Sequence, residues 1–375
     1  MKLTLEQAVL QKALARVVAI APRKNTIPIL GNLMIDAEGG GVVWLVATDL
    51  DREARVRLDA RIERGGRTTV PALLFDQIVR NAPSGADVLL ELDPAQDPRM
   101  MVRFGRSKYH VPVLPADGFP VWKEPAWEAE VKSTAAVLAG LIERGGFAAS
   151  TEETRQYLLG AYVHVAQDTG RLRFVSTNGH ILAQSDGDPL TGEPWEGVIV
   201  PTRTLSEFRA AVESRPGDVV LRVSPQGVQL QLADLIITSK VIDGAFPDYV
   251  RIVPRDWPRE AKVNRRLLAD AVTRVNVMTT DKASSIKLSF SPDVITLTVK
   301  NDLTGQVVEE VDADYAGDDC EIGFNARYLL GALKQTEADE VILGFDGEAS
   351  PMRVEPHSDD PEHGEALTVV MPLRL

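Results

Sequence analysis

Ala116-Asp117-Gly118-Phe119-Pro120 returns, slightly altered, as Asp243-Gly244-Ala245-Phe246-Pro247, and the two Phe-Pro pairs stand 127 positions apart. Val70-Pro71 opens the stretch ALLFDQIVRNAP, and Val200-Pro201 opens TRTLSEFRAAVES 130 positions later. A third stretch of this kind, Asn325 to Leu333, begins 124 positions after Pro201, and one third of the 375-residue chain is 125. Self-similarity at a fixed period means that one supersecondary unit is used repeatedly. A chain this long is also better served by two or three cores than by one.

Each unit opens on a stretch with apolar residues at three- and four-residue spacing, which predicts amphipathic helices over Leu5–Val18, Ser133–Phe147 and Asn264–Met278. Alternating segments rich in Val, Ile, Leu and Thr follow at 41–46, 171–175 and 294–299 and predict strands. The repeating order is helix, strands, helix, strands. Gly and Pro mark the seams, from Phe119-Pro120 through Pro125 and from Pro254 through Pro258. The expected fold is α+β: three similar domains over 1–125, 126–253 and 254–375, each with two helices packed on antiparallel sheets. Helices paired on one side leave a continuous strand layer on the other. Like units joined head to tail by a fixed rotation close into a ring or run on as a filament, and three units spanning half a circle close as a two-fold dimer.

Composition narrows the function. A net charge of −13 speaks against a protein that holds nucleic acid by contact alone, because such affinity depends on cations displacing counterions from phosphates. It is compatible with a protein that encloses DNA, where only the inner wall must avoid repelling phosphates. The single cysteine, Cys320, excludes an intrachain disulfide and fits a reducing cytoplasm. Its acidic neighbours Asp318, Asp319 and Glu321 argue against a nucleophile. Charge enters within the first few residues, so no signal peptide is expected, and no apolar run approaches the roughly 20 residues that span a bilayer. The expected location is cytoplasmic, away from membranes.

His180 is the one histidine that invites a general-base reading, with Asp49 or Asp248 as its orienting carboxylate. Gly-x-Ser-x-Gly does not occur, and no catalytic residue is assigned. His357 and His363 beside Asp359, Asp360 and Glu362 read as a solvated acidic loop, so no metal site and no cofactor is expected. A repeat-built cytoplasmic enzyme acting on a small ligand stands as the alternative.

Several segments together resemble the bacterial DNA polymerase III beta subunit family, the beta sliding clamps, from end to end. They are Thr26 to Asn32, Ala47-Thr48-Asp49-Leu50, Gly105 to Tyr109, Tyr157 to Gly160, Thr177 to His180, Ser239-Lys240 through Tyr249, Gly323-Phe324-Asn325 and Val370 to Leu375. The resemblance implies a DNA clamp fold in a head-to-tail homodimeric ring around duplex DNA. The ring reads no base sequence and has no catalytic activity. It further implies a hydrophobic groove for peptides of the replicative polymerase alpha subunit, the clamp loader, and repair and translesion polymerases.

Carried over residue by residue, the groove comprises Leu158, Thr177, Gly179, His180, Leu182, Pro247, Arg251, Ile252, Asn325, Tyr328, Ser350, Val369, Met371, Pro372, Leu373 and Arg374. Apolar and methionine side chains make such a site adaptable. The chain departs from the family at Asn178 and Ile181 around His180, at Ala283, and in a long acidic loop over 355–364, which bear on peptide preference. Arg106, Lys108 and Tyr109 are expected at the dimer interface, facing Val277, Met278 and Glu309. Lys24, Arg80, Tyr157 and Arg203 are expected to face DNA. The helical segments also offer Lys12, Arg16, Lys132, Arg144, Arg209, Arg265, Arg266, Arg274, Arg327 and Lys334 to the inner wall.

Overall fold

The structure is a computed structural model, which describes residues 1–24, 26–93, 97–190, 195–253, 256–279, 284–301, 305–357 and 365–374. Ala283, residues 358–364 of the acidic loop and Leu375 lie outside the described residues.

Six α-helices occur among the described residues: α1 (Gln7–Val17), α2 (Ala72–Arg80), α3 (Ala135–Gly146), α4 (Thr202–Glu213), α5 (Arg265–Asn276) and α6 (Ala326–Lys334). Each is entered directly from a strand. Lys2–Glu6, Ala129–Thr134 and Arg259–Asn264 lead into α1, α3 and α5, and Arg67–Pro71, Val198–Pro201 and Cys320–Asn325 lead into α2, α4 and α6. The expected helix starts at Leu5, Ser133 and Asn264 therefore fell inside strands. In Lys2–Glu6 the burial alternates, with Leu3 and Leu5 inward, so Leu5 belongs to a period of two that runs into the helical period. Lys132 likewise sits on a strand, exposed.

The helix starts are locally specified. Asn264 accepts the Leu267 N–H at 3.1 Å, and Asn325 accepts the Arg327 N–H at 2.8 Å, each satisfying a donor that the first helical turn leaves without a partner. Arg265, at the start of α5, donates to the carbonyls of Leu333 and Ala338 at 3.4 and 2.7 Å, which places a cation on the C-terminal end of α6.

Two compact units result. One comprises residues 1–134 with 214–241, the other 135–213 with 242–375, so the central third of the chain contributes to both. The first unit holds a five-stranded sheet ending in Ser107–Pro112 and an eight-stranded sheet. In the larger sheet Leu235–Lys240 pairs antiparallel with Arg52–Asp59, joining strands from different repeats. Helix α1 packs on α2 and buries Leu10, Leu14 and Val17.

The second unit is built on a twelve-stranded antiparallel sheet. In it Ile181–Pro189 pairs with Glu365–Val370 in a register that sets Leu182 opposite Val369. Helix α3 packs on α4 and α5 on α6, and the main core gathers Leu268, Val272, Phe290, Phe324, Leu329 and Phe345. Truncating one such fully buried leucine to alanine costs about 2–5 kcal/mol.

Candidate functional site

The sheet of the second unit ends its strand Arg171–Thr177 in a tight turn at Asn178-Gly179. Thr177 Oγ1 accepts the Gly179 N–H at 3.1 Å and donates to the Ile181 carbonyl at 2.8 Å. Asn178 Oδ1 accepts the N–H groups of His180 and Ile181 at 2.9 and 3.1 Å. Gly179 has a φ of +90°, a left-handed conformation that glycine adopts without steric cost. The turn presents the His180 ring outward and starts the next strand at Ile181, with Leu182 buried.

The C-terminal tail is fastened here. Met371 N–H donates to the His180 carbonyl at 2.9 Å, and Leu373 N–H donates to the Gly323 carbonyl at 2.8 Å. Two segments some 140 residues apart, 177–181 and 320–325, are thus held by one stretch of tail. Asn325, the cap of α6, lies two residues beyond Gly323, and Tyr328 on the first turn of α6 stacks its ring on His180 at 5.8 Å and 12°. On the other side of the tail, Leu182 and Val369 share an apolar cluster with Val175 and Tyr249, against which Phe246, Tyr162 and Leu367 pack.

Most of the residues singled out in the sequence are thereby gathered: Thr177, Gly179, His180, Leu182, Val369, Met371, Leu373, Asn325 and Tyr328. Pro247, Arg251 and Ile252 follow Phe246 on the segment that carries Tyr249, with Ile252 exposed and Arg251 paired to Asp248 at 2.8 Å. Pro372 is half-buried and Arg374 exposed on the tail. Leu158 is buried at the end of a short 3-10 turn. The Ser350 hydroxyl closes its own turn with Asp346 and Gly347. No hydrogen bond or ring contact among the described residues ties either of these two to the rest.

Val175, Tyr249, Phe246, Tyr162 and Leu367 were missed. Alternation along 171–177 places Val175 on the same face as Thr177, which was available in the sequence. The contribution of Phe246 and Tyr249 depends on where a loop folds back, which no periodicity encodes.

The carboxylates considered as partners for a His180 base are engaged elsewhere, Asp49 with Arg52 at 2.7 Å and Asp248 with Arg251 at 2.8 Å. Among the described residues no cluster of three metal-ligating side chains occurs, and no helix is long and apolar enough to cross a membrane.

Among the described residues, two open strand edges carry the expected interface residues. In the first unit Ser107–Pro112 is the last strand of its sheet, with Arg106, Lys108 and Tyr109 exposed and the Tyr109 ring stacked on Phe104 at 5.5 Å. In the second unit Gly305–Asp314 pairs along its length with Val294–Asn301, but on its other side, among the described residues, only Ala313 and Asp314 pair with Arg259–Asn264. Beside this edge Val277 is 78% exposed, Met278 is half-buried against the core, and Glu309 receives a two-pronged bond from Arg274 at 2.9 Å.

The candidate cations divide by environment. Arg16 is committed to Asp234, Arg209 to Glu143 and Glu213, Arg265 to backbone carbonyls and Arg274 to Glu309, while Arg144 reaches Glu337 at 3.9 Å. Lys12, Lys24, Arg203, Arg266, Arg327 and Lys334 are exposed. Arg80 is exposed and bonded to Asp76 at 2.6 Å, and Tyr157 is 37% exposed.

Comparison with known proteins places this geometry. Residues 1–123, 133–248 and 250–374 match, in order, the N-terminal, central and C-terminal domains of the DNA polymerase III beta subunit. The chain is 44% identical over 380 aligned residues to the beta sliding clamp of Caulobacter vibrioides, with both chains covered in full. The crystal structure of the Caulobacter crescentus beta sliding clamp superposes with a TM-score of 0.93 at 44% identity over the whole of both chains. A sliding clamp from Bartonella birtlesii bound to griselimycin superposes with a TM-score of 0.91 at 35% identity, again over both whole chains.

Proposed function

Because this chain belongs to the DNA polymerase III beta subunit family, we propose that its groove between His180, Tyr328, Leu182 and Val369 is where partner peptides dock while the ring encloses DNA. The chain is a sliding clamp, a non-catalytic processivity factor that tethers DNA polymerase to duplex DNA as a dimeric ring. Family membership sets aside the small-ligand enzyme.

The observation that carries the groove assignment is the fastening of the tail to both sides: Met371 to the His180 turn and Leu373 to the strand before α6. This makes a surface that is apolar on the Leu182–Val369 side and aromatic on the His180–Tyr328 side, suited to a short peptide with a few anchoring side chains. Leu158 and Ser350 belong to the rim of the same groove.

The dimer forms where the two open strand edges meet, Ser107–Pro112 of one protomer along Gly305–Asp312 of its partner, with Val277 and Met278 covered. An open edge offers unpaired N–H and C=O groups that pairing satisfies. Domain boundaries fall near 125 and 253, in keeping with the three family matches. Lys24, Arg80, Tyr157 and Arg203 face the DNA, their exposed side chains making transient phosphate and stacking contacts that permit sliding. The protein works in the cytoplasm, where its DNA is.

Retention on DNA tests this reading. Protein placed by a clamp loader on nicked circular DNA should stay bound through isolation and be lost once the circle is linearised. Equal retention on both forms would mean contact binding, and the enclosure reading would fall.

A further inference from the structure

The sheet face that carries the groove continues past it. Cross-strand register sets three rows of side chains on that face: Thr177, Leu182 and Val369, then Tyr162, Val175, Gln184 and Leu367, then His164, Arg173 and Asp186. Successive rows lie two residues, or about 7 Å, apart along the strands. The first row belongs to the groove. From the second and third, Tyr162, Gln184, Leu367, His164 and Arg173 supply the floor of an open pocket of about 1000 Å3, bordered by the segment 246–250. Pro247 borders both, so groove and pocket are neighbours on one surface.

The pocket has the chemistry of a cation site. The Tyr162 ring is stacked on Phe246 at 5.2 Å and 7° and on His164 at 4.6 Å and 26°, and Trp195 adds a further ring to the wall. Asp168, Glu196 and Asp248, the last also paired to Arg251 at 2.8 Å, line it against one cation, Arg173. That guanidinium is already committed, to Asp186 at 2.5 and 2.6 Å and to Asp168 at 3.4 Å. Acid therefore exceeds base in a pocket walled by aromatic faces. A guanidinium suits such a place, since it stacks flat on rings while its N–H groups bond carboxylates.

We infer that this pocket is a second anchor site for the groove-bound partner and takes an arginine side chain two or four residues from the side chains that fill the groove. In an extended peptide, side chains two residues apart project to the same side about 7 Å apart, which matches the spacing between rows. The pocket thereby selects among partners that share the same groove anchors, favouring those with a basic flank. The inference rests on the groove reading.

The test uses a labelled short peptide whose Leu and Phe side chains fill the groove, with Arg, Ala, Tyr or Glu placed in turn two and four residues to either side, and full-length protein titrated by fluorescence anisotropy. At one of these positions the Arg peptide should bind about five- to tenfold more tightly than the Ala peptide. The Glu peptide should bind more weakly than the Ala peptide. Glu196→Gln and Trp195→Ala, both at the pocket wall away from the groove, should each reduce the Arg advantage and leave the Ala peptide's affinity unchanged. Equal affinity of the Arg and Ala peptides at every position, with the Ala peptide still bound, would overturn the second anchor and leave the groove standing. A Tyr peptide that outbinds the Arg peptide would overturn the cation assignment. Failure of every peptide to bind would overturn the groove reading and this inference with it.

Discussion

The His180 ring lies over the Tyr328 ring with centroids 5.8 Å apart and planes 12° from parallel, while the His180 carbonyl accepts the Met371 N–H at 2.9 Å. One residue thus joins the turn after the strand Arg171–Thr177, the first turn of α6 and the tail. The stack gives the proposed groove a flat aromatic wall, and the backbone bond keeps the tail beside it.

Replacing Tyr328 by Ala removes that wall and with it an aromatic contact to a bound peptide side chain worth about 0.5–1.5 kcal/mol, which corresponds to a loss of roughly two- to tenfold in partner-peptide affinity. Tyr328 is half-buried, so the melting temperature should change little. Anisotropy titration of a groove-filling peptide provides the measurement. Unchanged affinity would remove Tyr328 from the groove.

The Arg173–Asp186 pair is largely buried in the second unit, with side chains 7% and 1% exposed. Burial alone would lower the pKa of the Arg173 guanidinium, but its bonds to Asp186 and the Tyr249 hydroxyl outweigh burial and hold it above the usual value. Asp186→Ala strands a buried cation and should cost about 3–5 kcal/mol of stability. Arg173→Met combined with Asp186→Leu should cost less than the single change, because no charge is left alone. Urea denaturation distinguishes the two, and a double variant less stable than Asp186→Ala would refute the argument.

His164 should make stability depend on pH. Burial lowers its pKa, opposed by its bond to the Val165 carbonyl and reinforced by the nearby Arg173 charge, with Asp186 and Asp168 acting weakly the other way. Its other ring nitrogen faces the Tyr249 hydroxyl at 3.0 Å. The folded state therefore takes up a proton less readily than the unfolded chain, whose value is 6.5. The contribution of neutral His164 is complete above 6.5 and is lost as the pH falls below it towards the lower folded value. His164→Gln should flatten this decline in urea midpoints measured over a pH series. Parallel curves for the two proteins would exclude His164 as its source.

Val277, 78% exposed at the end of α5, should govern the dimer and leave the fold of the chain unaffected. Val277→Lys adds a cation where the C-terminal end of the helix tolerates one, yet sets it in an interface proposed to bring Arg106 and Lys108 alongside. Sedimentation at micromolar concentration should shift towards monomer, with the melting temperature of the separated chains unchanged. A dimer as tight as that of the unaltered protein would place the interface elsewhere.

By itself the sequence determined the threefold repeat and the six amphipathic stretches that became α1 to α6, because periods of 3.6 and 2 state which face of an element is buried, whereas the proposed groove side chains came from the family resemblance. It blurred the helix starts, since Leu5 and Ser133 lie in strands whose alternation runs into the helical pattern that follows. Tertiary structure alone decided which element lies beside which. Leu235–Lys240 pairs with Arg52–Asp59, Leu182 stands opposite Val369, and Arg16, Arg265 and Arg274 are drawn into internal bonds that keep them from being simple surface cations. The reason is physical: periodicity is a local property of the chain, whereas the pairing of strands more than a hundred residues apart is settled by register, burial and loop closure acting together.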